Sequence, residues 1–82
     1  MVYNLELSKN AEKELSSLPK DISIRILNKL LEVTKEPYRY IKRLTGSELF
    51  SLRVGDYRVL MIIDQNKIFI VRMGHRKKVY EF

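Results

Sequence analysis

Residues 50–73 read FSLRVGDYRVLMIIDQNKIFIVRM and predict three consecutive β-strands. Apolar and more polar residues alternate over 50–54, with the period of two that is typical of a half-buried strand. Gly55-Asp56 is a tight-turn signal, and residues 57–63 are β-rich throughout, as in a central strand with both faces covered. After a second turn, residues 67–73 give the third strand pattern. The stretch therefore predicts an antiparallel meander with short turns.

The residues before this stretch predict one strand followed by two helices. Residues 3–7 alternate in polarity, and Ser8 is a suitable N-cap for a first helix, which Pro19 ends. A broad apolar face over residues 22–33 predicts the second helix. We expect residues 38–47 to form a loop or a short extended piece.

This order of elements predicts one α+β domain over residues 1–82, with the N-terminal strand and the meander in one sheet and both helices packed on one of its faces. The chain has no cysteine, which excludes a disulfide framework and a thiolate metal site. Its apolar runs fall far short of the ~20 residues of a membrane helix, and no signal-peptide pattern opens the chain. We therefore expect a soluble cytoplasmic protein with no membrane partner.

The net positive charge of the chain comes entirely from its second half. Residues 1–38 carry six basic and six acidic side chains, whereas residues 39–82 carry ten basic and four acidic ones, which accounts for the net charge of +6. Such an asymmetry is typical of a surface that binds a polyanion, nucleic acid in the first place. A merely soluble basic surface would give the same count.

Two arginines flank the predicted turn of the first hairpin. Arg53 and Arg58 both fall on the face of the sheet that points away from the helices. Neighbouring guanidinium groups repel each other unless an anion lies between them. Gly74 permits a bulge that would bring Arg76 over the same face. With Tyr80 beyond them, these arginines would form a groove for a phosphodiester backbone, with an aromatic ring to stack on or to assist.

Two longer segments read KRLTGSELFSLRVGDYRVLMIID, at residues 42–64, and IFIVRMGHRKKVY, at residues 68–80. Together they resemble the RelE/ParE toxin superfamily of type II toxin–antitoxin modules, and the RelE branch in particular. The predicted order of elements matches the RelE-like, microbial-RNase-like fold of that family, so the resemblance covers nearly the whole chain. It implies an endonuclease that cuts mRNA in the ribosomal A site and so inhibits translation. It also implies an acidic RelB-like antitoxin that holds the toxin inactive, and contact with operator DNA only through that complex.

The resemblance implies roles for individual residues. Arg58 and Arg76 match the family positions that contact and neutralise the scissile phosphate. Arg53 matches a groove arginine beside them, and Tyr80 matches a tyrosine near the reacting 2′-hydroxyl.

The chain departs from the RelE pattern just before the first turn. Leu49 and Ser51 stand where that pattern has lysines, which charge the groove and assist proton transfer. Their loss predicts a weaker enzyme unless other cations supply the charge. The candidate RNA-binding residues are Arg53, Lys42, Arg43, Lys77 and Lys78.

Cleavage by the 2′-hydroxyl of the RNA needs a base, stabilisation of the anionic phosphorane and an acid for the leaving 5′-oxygen. Arginine suits the second role and is a poor base, since its pKa exceeds ~12. The candidates for proton transfer are Tyr80, His75 and Glu48. Adjacent residues of an extended strand point to opposite faces, so His75 joins Arg76 in the groove only if the chain bulges at Gly74.

No metal or other cofactor is expected, because one histidine, no cysteine and no carboxylate cluster in the cationic half leave no convincing ligand set. Two other functions stay open. One is a ParE-like inhibitor of DNA gyrase, which shares the fold and which the missing lysines favour. The other is a cationic RNA-binding module without chemistry. The joint presence of Arg58, Arg76 and Tyr80 favours the nuclease.

Overall fold

The computed structural model describes residues 2–75 and 77, which form five strands and three helices. In chain order these are β1 (Asn4–Leu7), α1 (Lys9–Ser17), α2 (Lys20–Lys35), α3 (Pro37–Tyr40), β2 (Ile41–Arg43), β3 (Phe50–Val54), β4 (Tyr57–Asp64) and β5 (Lys67–His75).

The strands form one sheet in the order β1-β5-β4-β3-β2. β2 to β5 are antiparallel neighbours, and β1 pairs parallel with β5 at the far edge. The predicted α+β class and the meander are confirmed. The meander has four strands, because β2 adds to the three that the sequence pattern indicated.

The segment predicted as a loop or short extended piece, residues 38–47, contains a short strand, but it begins within a helical turn that the sequence did not predict. Pro37 opens α3, since proline has the backbone angle of a first helical turn and no N–H to satisfy. β2 follows at once and pairs with β3, with Ile41 opposite Leu52. Both elements are too short to leave a periodic signal, and β2 exists only because β3 offers it hydrogen-bond partners.

The hydrophobic core lies between the two long helices and one face of the sheet. Ser8 begins α1 as predicted, because its Oγ accepts a hydrogen bond from the Ala11 N–H at 3.0 Å. The same hydroxyl donates to the Val71 carbonyl of β5 at 2.8 Å, so the cap also fixes the helix to the sheet. The buried core residues are Ala11, Ile26, Leu30, Val33, Leu52, Val54, Val59, Met61, Ile68, Ile70 and Met73.

The broad apolar face predicted for the second helix is only partly buried. Ile26 and Leu30 of α2 are fully buried, whereas Ile24, Leu27 and Leu31 are 49%, 39% and 58% exposed. The exposed three lie at helical spacing along one side of α2. None of the helices formed by residues 2–75 and 77 is long and apolar enough to be a membrane span.

The irregularity in β5 lies earlier than Gly74. Leu60 pairs with Arg72 and Met61 pairs with Ile70, so the register shifts at Val71. Gly74 itself is in register, opposite Arg58. The bulge therefore changes the alternation before the end of β5 and not between Gly74 and His75.

Candidate functional site

Arg53 and Arg58 lie directly opposite each other across the β3–β4 pair. Their strand neighbours Leu52, Val54 and Val59 are buried in the core, and the alternation of a strand therefore directs both arginines to the other face. The two-residue turn at Gly55 and Asp56 fixes this register. Gly55 has φ +61°, a left-handed conformation that glycine adopts without steric cost.

Within the part of the chain that the structure describes, no carboxylate neutralises this arginine pair. The four ion pairs found there involve other cations. Toward the described residues Arg53 donates only its Nε–H, to the Gly55 carbonyl at 3.1 Å, so none of them occupies its terminal amino groups. The Nε of Arg58 is buried and has no hydrogen-bond partner among the described residues. A buried, unsatisfied guanidinium nitrogen costs stability, and an anion bound at this face would satisfy it.

A cavity of about 430 Å³ opens beside the arginine pair. Its size is within the range of small-molecule sites, ~300–1,000 Å³. Three cations in addition to Arg58 contribute to its wall, and none of the lining residues is acidic. The lining residues are Tyr40, Lys42, Arg43, Leu44, Thr45, Ser51, Arg53 and Arg58.

The structure brings Lys42 and Arg43 to the same cavity as Arg53 and Arg58. Lys42 is exposed on β2 and pairs with Ser51 of β3, on the face of the arginine pair. Arg43 pairs with Phe50, and its guanidinium lies 5.8 Å from the Phe50 ring centroid while its Nε–H donates to the Ser47 carbonyl at 3.1 Å. It lines both this cavity and the cavity that contains Glu48. β2 thus supplies two groove cations that the sequence pattern could not place.

The ring of His75 lies on the opposite side of the sheet from Arg58. His75 pairs with Tyr57, and the two rings pack edge to face with their centroids 5.7 Å apart. Its Nδ1 accepts a hydrogen bond from the Lys77 backbone N–H at 3.3 Å, which leaves Nε2 to carry the proton of the neutral ring. His75 is therefore not brought to the cavity in this conformation.

The remaining predicted site residues are Glu48, Arg76, Lys77, Lys78 and Tyr80. Glu48 lines a separate cavity with Phe50 and Asp64, away from Arg58. The side chain of Lys77 is exposed. Arg76, Lys78 and Tyr80 lie outside the described residues. No group of three histidine, cysteine, aspartate or glutamate side chains within residues 2–75 and 77 is arranged to hold a metal ion.

Sequence reasoning missed Tyr40 as a lining residue. It ends α3, a helix that left no periodic signal, and its ring is covered by the ammonium group of Lys29, 4.4 Å from the ring centroid. Ser51 was noted only for the lysine that it replaces, although it lines the cavity between Lys42 and Arg58. The alternation of β3 was enough to put Ser51 on this face.

A family model described as the ParE toxin of the type II toxin–antitoxin system, parDE, matches residues 5–80. The chain belongs to the RelE/ParE toxin superfamily. It is thus a toxin of a type II toxin–antitoxin system, and the resemblance inferred from its motifs is confirmed. A comparison with curated proteins gave no significant match.

Solved structures of RelE proteins share the fold of this toxin. The toxin–antitoxin complex RelBE2 of Mycobacterium tuberculosis contains a chain that is 30% identical, with a TM-score of 0.83, over 93% of this chain and 100% of that one. The archaeal RelE–RelB complex of Pyrococcus horikoshii contains a chain that is 28% identical, with a TM-score of 0.80. The match covers 96% of this chain and 100% of that one. A mutant of Escherichia coli RelE in the free state has the same fold at 23% identity, with a TM-score of 0.81. The match covers 94% of this chain and 86% of that one.

Proposed function

We propose that this RelE/ParE toxin is a ribosome-dependent endonuclease that cuts mRNA in the A site. The observation that carries the proposal is the pairing of Arg53 with Arg58 beside a cavity without acidic residues, with the buried Nε of Arg58 unsatisfied. Two like charges held together in this way are favoured when a phosphodiester lies between them. Inhibition of translation would follow from loss of the message.

The arginine pair would stabilise the transition state of a 2′-hydroxyl attack. The attack places an additional negative charge on the phosphorane oxygens, and guanidinium groups fixed beforehand at that point lower its energy without reorganisation. Arg58 would donate its Nε–H and one terminal N–H as a fork, and Arg53 would use its free terminal amino groups. Arg76 is proposed as the third phosphate ligand.

Proton transfer is assigned to Tyr80 and His75, in that order. Tyr80, as the phenolate that neighbouring cations favour, would take the proton of the 2′-hydroxyl, and the 5′-oxygen would leave with a proton from a protonated His75 or from solvent. His75 ranks second because its ring packs against Tyr57 and its Nδ1 is already engaged by the Lys77 N–H. Its participation requires the ring to leave Tyr57.

The remaining cations would bind the RNA backbone on either side of the scissile bond. Lys42 and Arg43 line the cavity on the β2 side. Lys77 and Lys78 follow β5 and would extend the cationic surface beyond the arginine pair. Because such contacts release counterions, RNA binding is expected to weaken steeply with salt.

We propose an acidic RelB-like antitoxin as the partner that holds the toxin inactive. The support is that similar chains of known structure occur in RelB–RelE complexes. The cationic face suits an acidic chain, and the exposed Ile24, Leu27 and Leu31 of α2 suit its apolar side chains. Operator DNA would be reached only through this complex. Absence of an acidic partner after affinity purification from the native host would contradict this assignment.

Primer extension on mRNA from a translating system tests the nuclease directly. The wild-type toxin is expected to produce new 5′ ends at A-site codons, and the Arg76→Ala variant is expected to lose most of that cleavage while it still folds. Equal cleavage by the variant and the parent would contradict the role of Arg76. No cleavage by the parent, with intact translation, would contradict the nuclease.

A second candidate function is inhibition of DNA gyrase without cleavage. The observation that favours it is the match to the ParE toxin model, together with Leu49 and Ser51 in place of lysines. A supercoiling assay run with the same preparation separates the two functions. Inhibition of supercoiling without new mRNA ends would select the gyrase inhibitor, and salt-dependent RNA binding with neither activity would leave a binding module.

A further inference from the structure

A second cavity, of about 390 Å³, lies at the tip of the β3–β4 hairpin between the sheet and α2. Arg53 and the turn residue Gly55 line it from the hairpin, and Arg25 lines it from the helix. The remaining lining residues are Asn28, Lys29, Glu32 and Val54.

Arg53 lines both this cavity and the cavity beside Arg58. The two cavities therefore share Arg53 as a lining residue. A cationic path runs from the sheet face, past the hairpin turn, to the side of α2.

The charges of the second cavity leave Arg25 and Arg53 uncompensated. Lys29 and Glu32 neutralise each other, with Nζ and Oε2 3.2 Å apart. Arg25 forms no hydrogen bond or ion pair with the described residues. Arg25 and Arg53, neither of which is paired with a carboxylate of the described residues, thus line one cavity.

The guanidinium of Arg25 lies beside Gly55 at the hairpin turn. A Cβ added to Gly55 would lie 3.5 Å and 3.7 Å from the two terminal nitrogens of Arg25. The guanidinium therefore rests against the bare backbone of the turn, next to the carbonyl that holds the Nε of Arg53. Arg25 and Arg53 therefore both lie at this turn, the first beside Gly55 and the second bonded to its carbonyl oxygen.

We propose that Arg25 and Arg53 form a second phosphate subsite, which binds a backbone phosphate of the same RNA strand that crosses Arg58. This inference rests on the proposed function and extends it, since nothing in the sequence pattern assigned a role to α2. The strand would turn around the hairpin tip, with Arg53 between two consecutive binding positions.

The test measures binding of a 2′-O-methyl oligoribonucleotide, which cannot undergo 2′-hydroxyl attack, over a range of salt concentrations. One phosphate contact on a single strand contributes ~0.7 to the slope of log K against log salt. Arg25→Ala is expected to reduce the slope by about 0.7 and to weaken binding several-fold at low salt. Arg25→Lys should keep most of the slope, because it keeps the charge.

Arg39→Ala is the matched control. It also removes one arginine charge, but Arg39 is exposed and bonded to Glu36 at 3.2 Å, a hydrogen bond that raises the pKa of Arg39. A slope for Arg25→Ala equal to that of Arg39→Ala would overturn the subsite, as would failure of the wild type to bind the oligonucleotide at low salt. Weaker binding to ribosomes with an unchanged oligonucleotide slope would also overturn it.

Cleavage is measured separately, so that the two proposals can fail independently. An altered slope in a toxin that does not cut mRNA would leave the subsite standing and overturn the nuclease. If the toxin cuts at A-site codons and Arg25→Ala leaves the slope unchanged, the nuclease stands and the subsite is overturned.

Discussion

At the scale of single residues, the environment of Arg58 lowers the stability of the free protein. Its Nε is buried without a hydrogen-bond partner in the part of the chain that the structure describes, and its neighbour across the strand pair is another arginine. Both features destabilise the free protein. Arg72 is the contrast, since its Nε donates to Glu14 Oε2 at 2.9 Å and the charge is neutralised.

The first prediction concerns this contrast. Arg58→Met keeps much of the side-chain length and removes both the unsatisfied nitrogen and the repulsion, so the free energy of unfolding is expected to rise by about 1 kcal/mol. Cleavage is expected to fall at least ~100-fold, because a phosphate ligand is lost. Urea denaturation measures the first effect and primer extension the second.

Arg72→Met is the control for Arg58→Met. It breaks a hydrogen-bonded ion pair that is only about a quarter exposed, and should lower the free energy of unfolding by about 1–2 kcal/mol. If Arg58→Met destabilises the protein as much as Arg72→Met does, Arg58 has a structural role and the argument from its missing partner fails.

At the scale of elements, α1 continues the edge of the sheet where β1 ends. β1 pairs with β5 only as far as Ile70. Beyond it the Val71 carbonyl accepts from Ser8 Oγ, and the Met73 N–H donates to Glu14 Oε1 at 2.9 Å. Side chains of the first helix thus satisfy backbone groups that a longer strand would otherwise satisfy.

The second prediction tests this edge. Glu14→Ala removes the acceptor for the Met73 N–H and the partner of Arg72, and should lower the free energy of unfolding by about 2–4 kcal/mol. Glu12→Ala, an exposed acid in the same helix, should cost no more than about 1 kcal/mol. Equal losses in urea denaturation would contradict the role given to Glu14.

The third prediction concerns the β4–β5 turn. Gln65 has φ +54°, a left-handed angle that costs a residue with a Cβ about 1–2 kcal/mol. Gln65→Gly removes that cost and should stabilise the protein by about 0.5–1 kcal/mol after the entropy loss of glycine. Asn66→Gly, at a position without a positive φ, should instead destabilise it by a similar amount. A lower unfolding midpoint for Gln65→Gly would contradict this account of the turn.

The elements that could be predicted from sequence are those that carry their own signal. The period of two and the Gly55 turn predicted β3 and β4, and the register of a two-residue turn placed Arg53 opposite Arg58. The strand and the side-chain contact that could not be predicted each require a partner that is distant in the sequence. β2 is a strand only because it pairs with β3, and Glu14 meets Arg72 across 58 positions of sequence.

At the scale of the whole molecule, the fold explains how the charge asymmetry becomes a site. All four ion pairs in the described part of the chain use an acid from the first half, namely Glu32, Glu36, Glu6 and Glu14. Two of these acids neutralise cations of β5. The hairpin arginines stay uncompensated, so the positive charge is concentrated on one face of the sheet.

The fourth prediction is that the proposed cleavage needs no transition metal. The chemistry assigned to the arginines and Tyr80 uses fixed charge and proton transfer only. Cleavage of A-site mRNA is therefore expected to be unchanged by 1,10-phenanthroline, which leaves the magnesium of the ribosome in place. A zinc-dependent nuclease serves as the positive control. Loss of cleavage with phenanthroline, restored by added zinc, would contradict the mechanism.

The central claim is that the cations paired across β3 and β4 bind the phosphate that is cut. The measurement that tests it most directly is single-turnover cleavage of mRNA on programmed ribosomes by the wild type, Arg58→Ala and Arg39→Ala, each shown to be folded by urea denaturation. The account predicts a rate at least ~100-fold lower for Arg58→Ala and an unchanged rate for Arg39→Ala. Equal rates for all three proteins would contradict it.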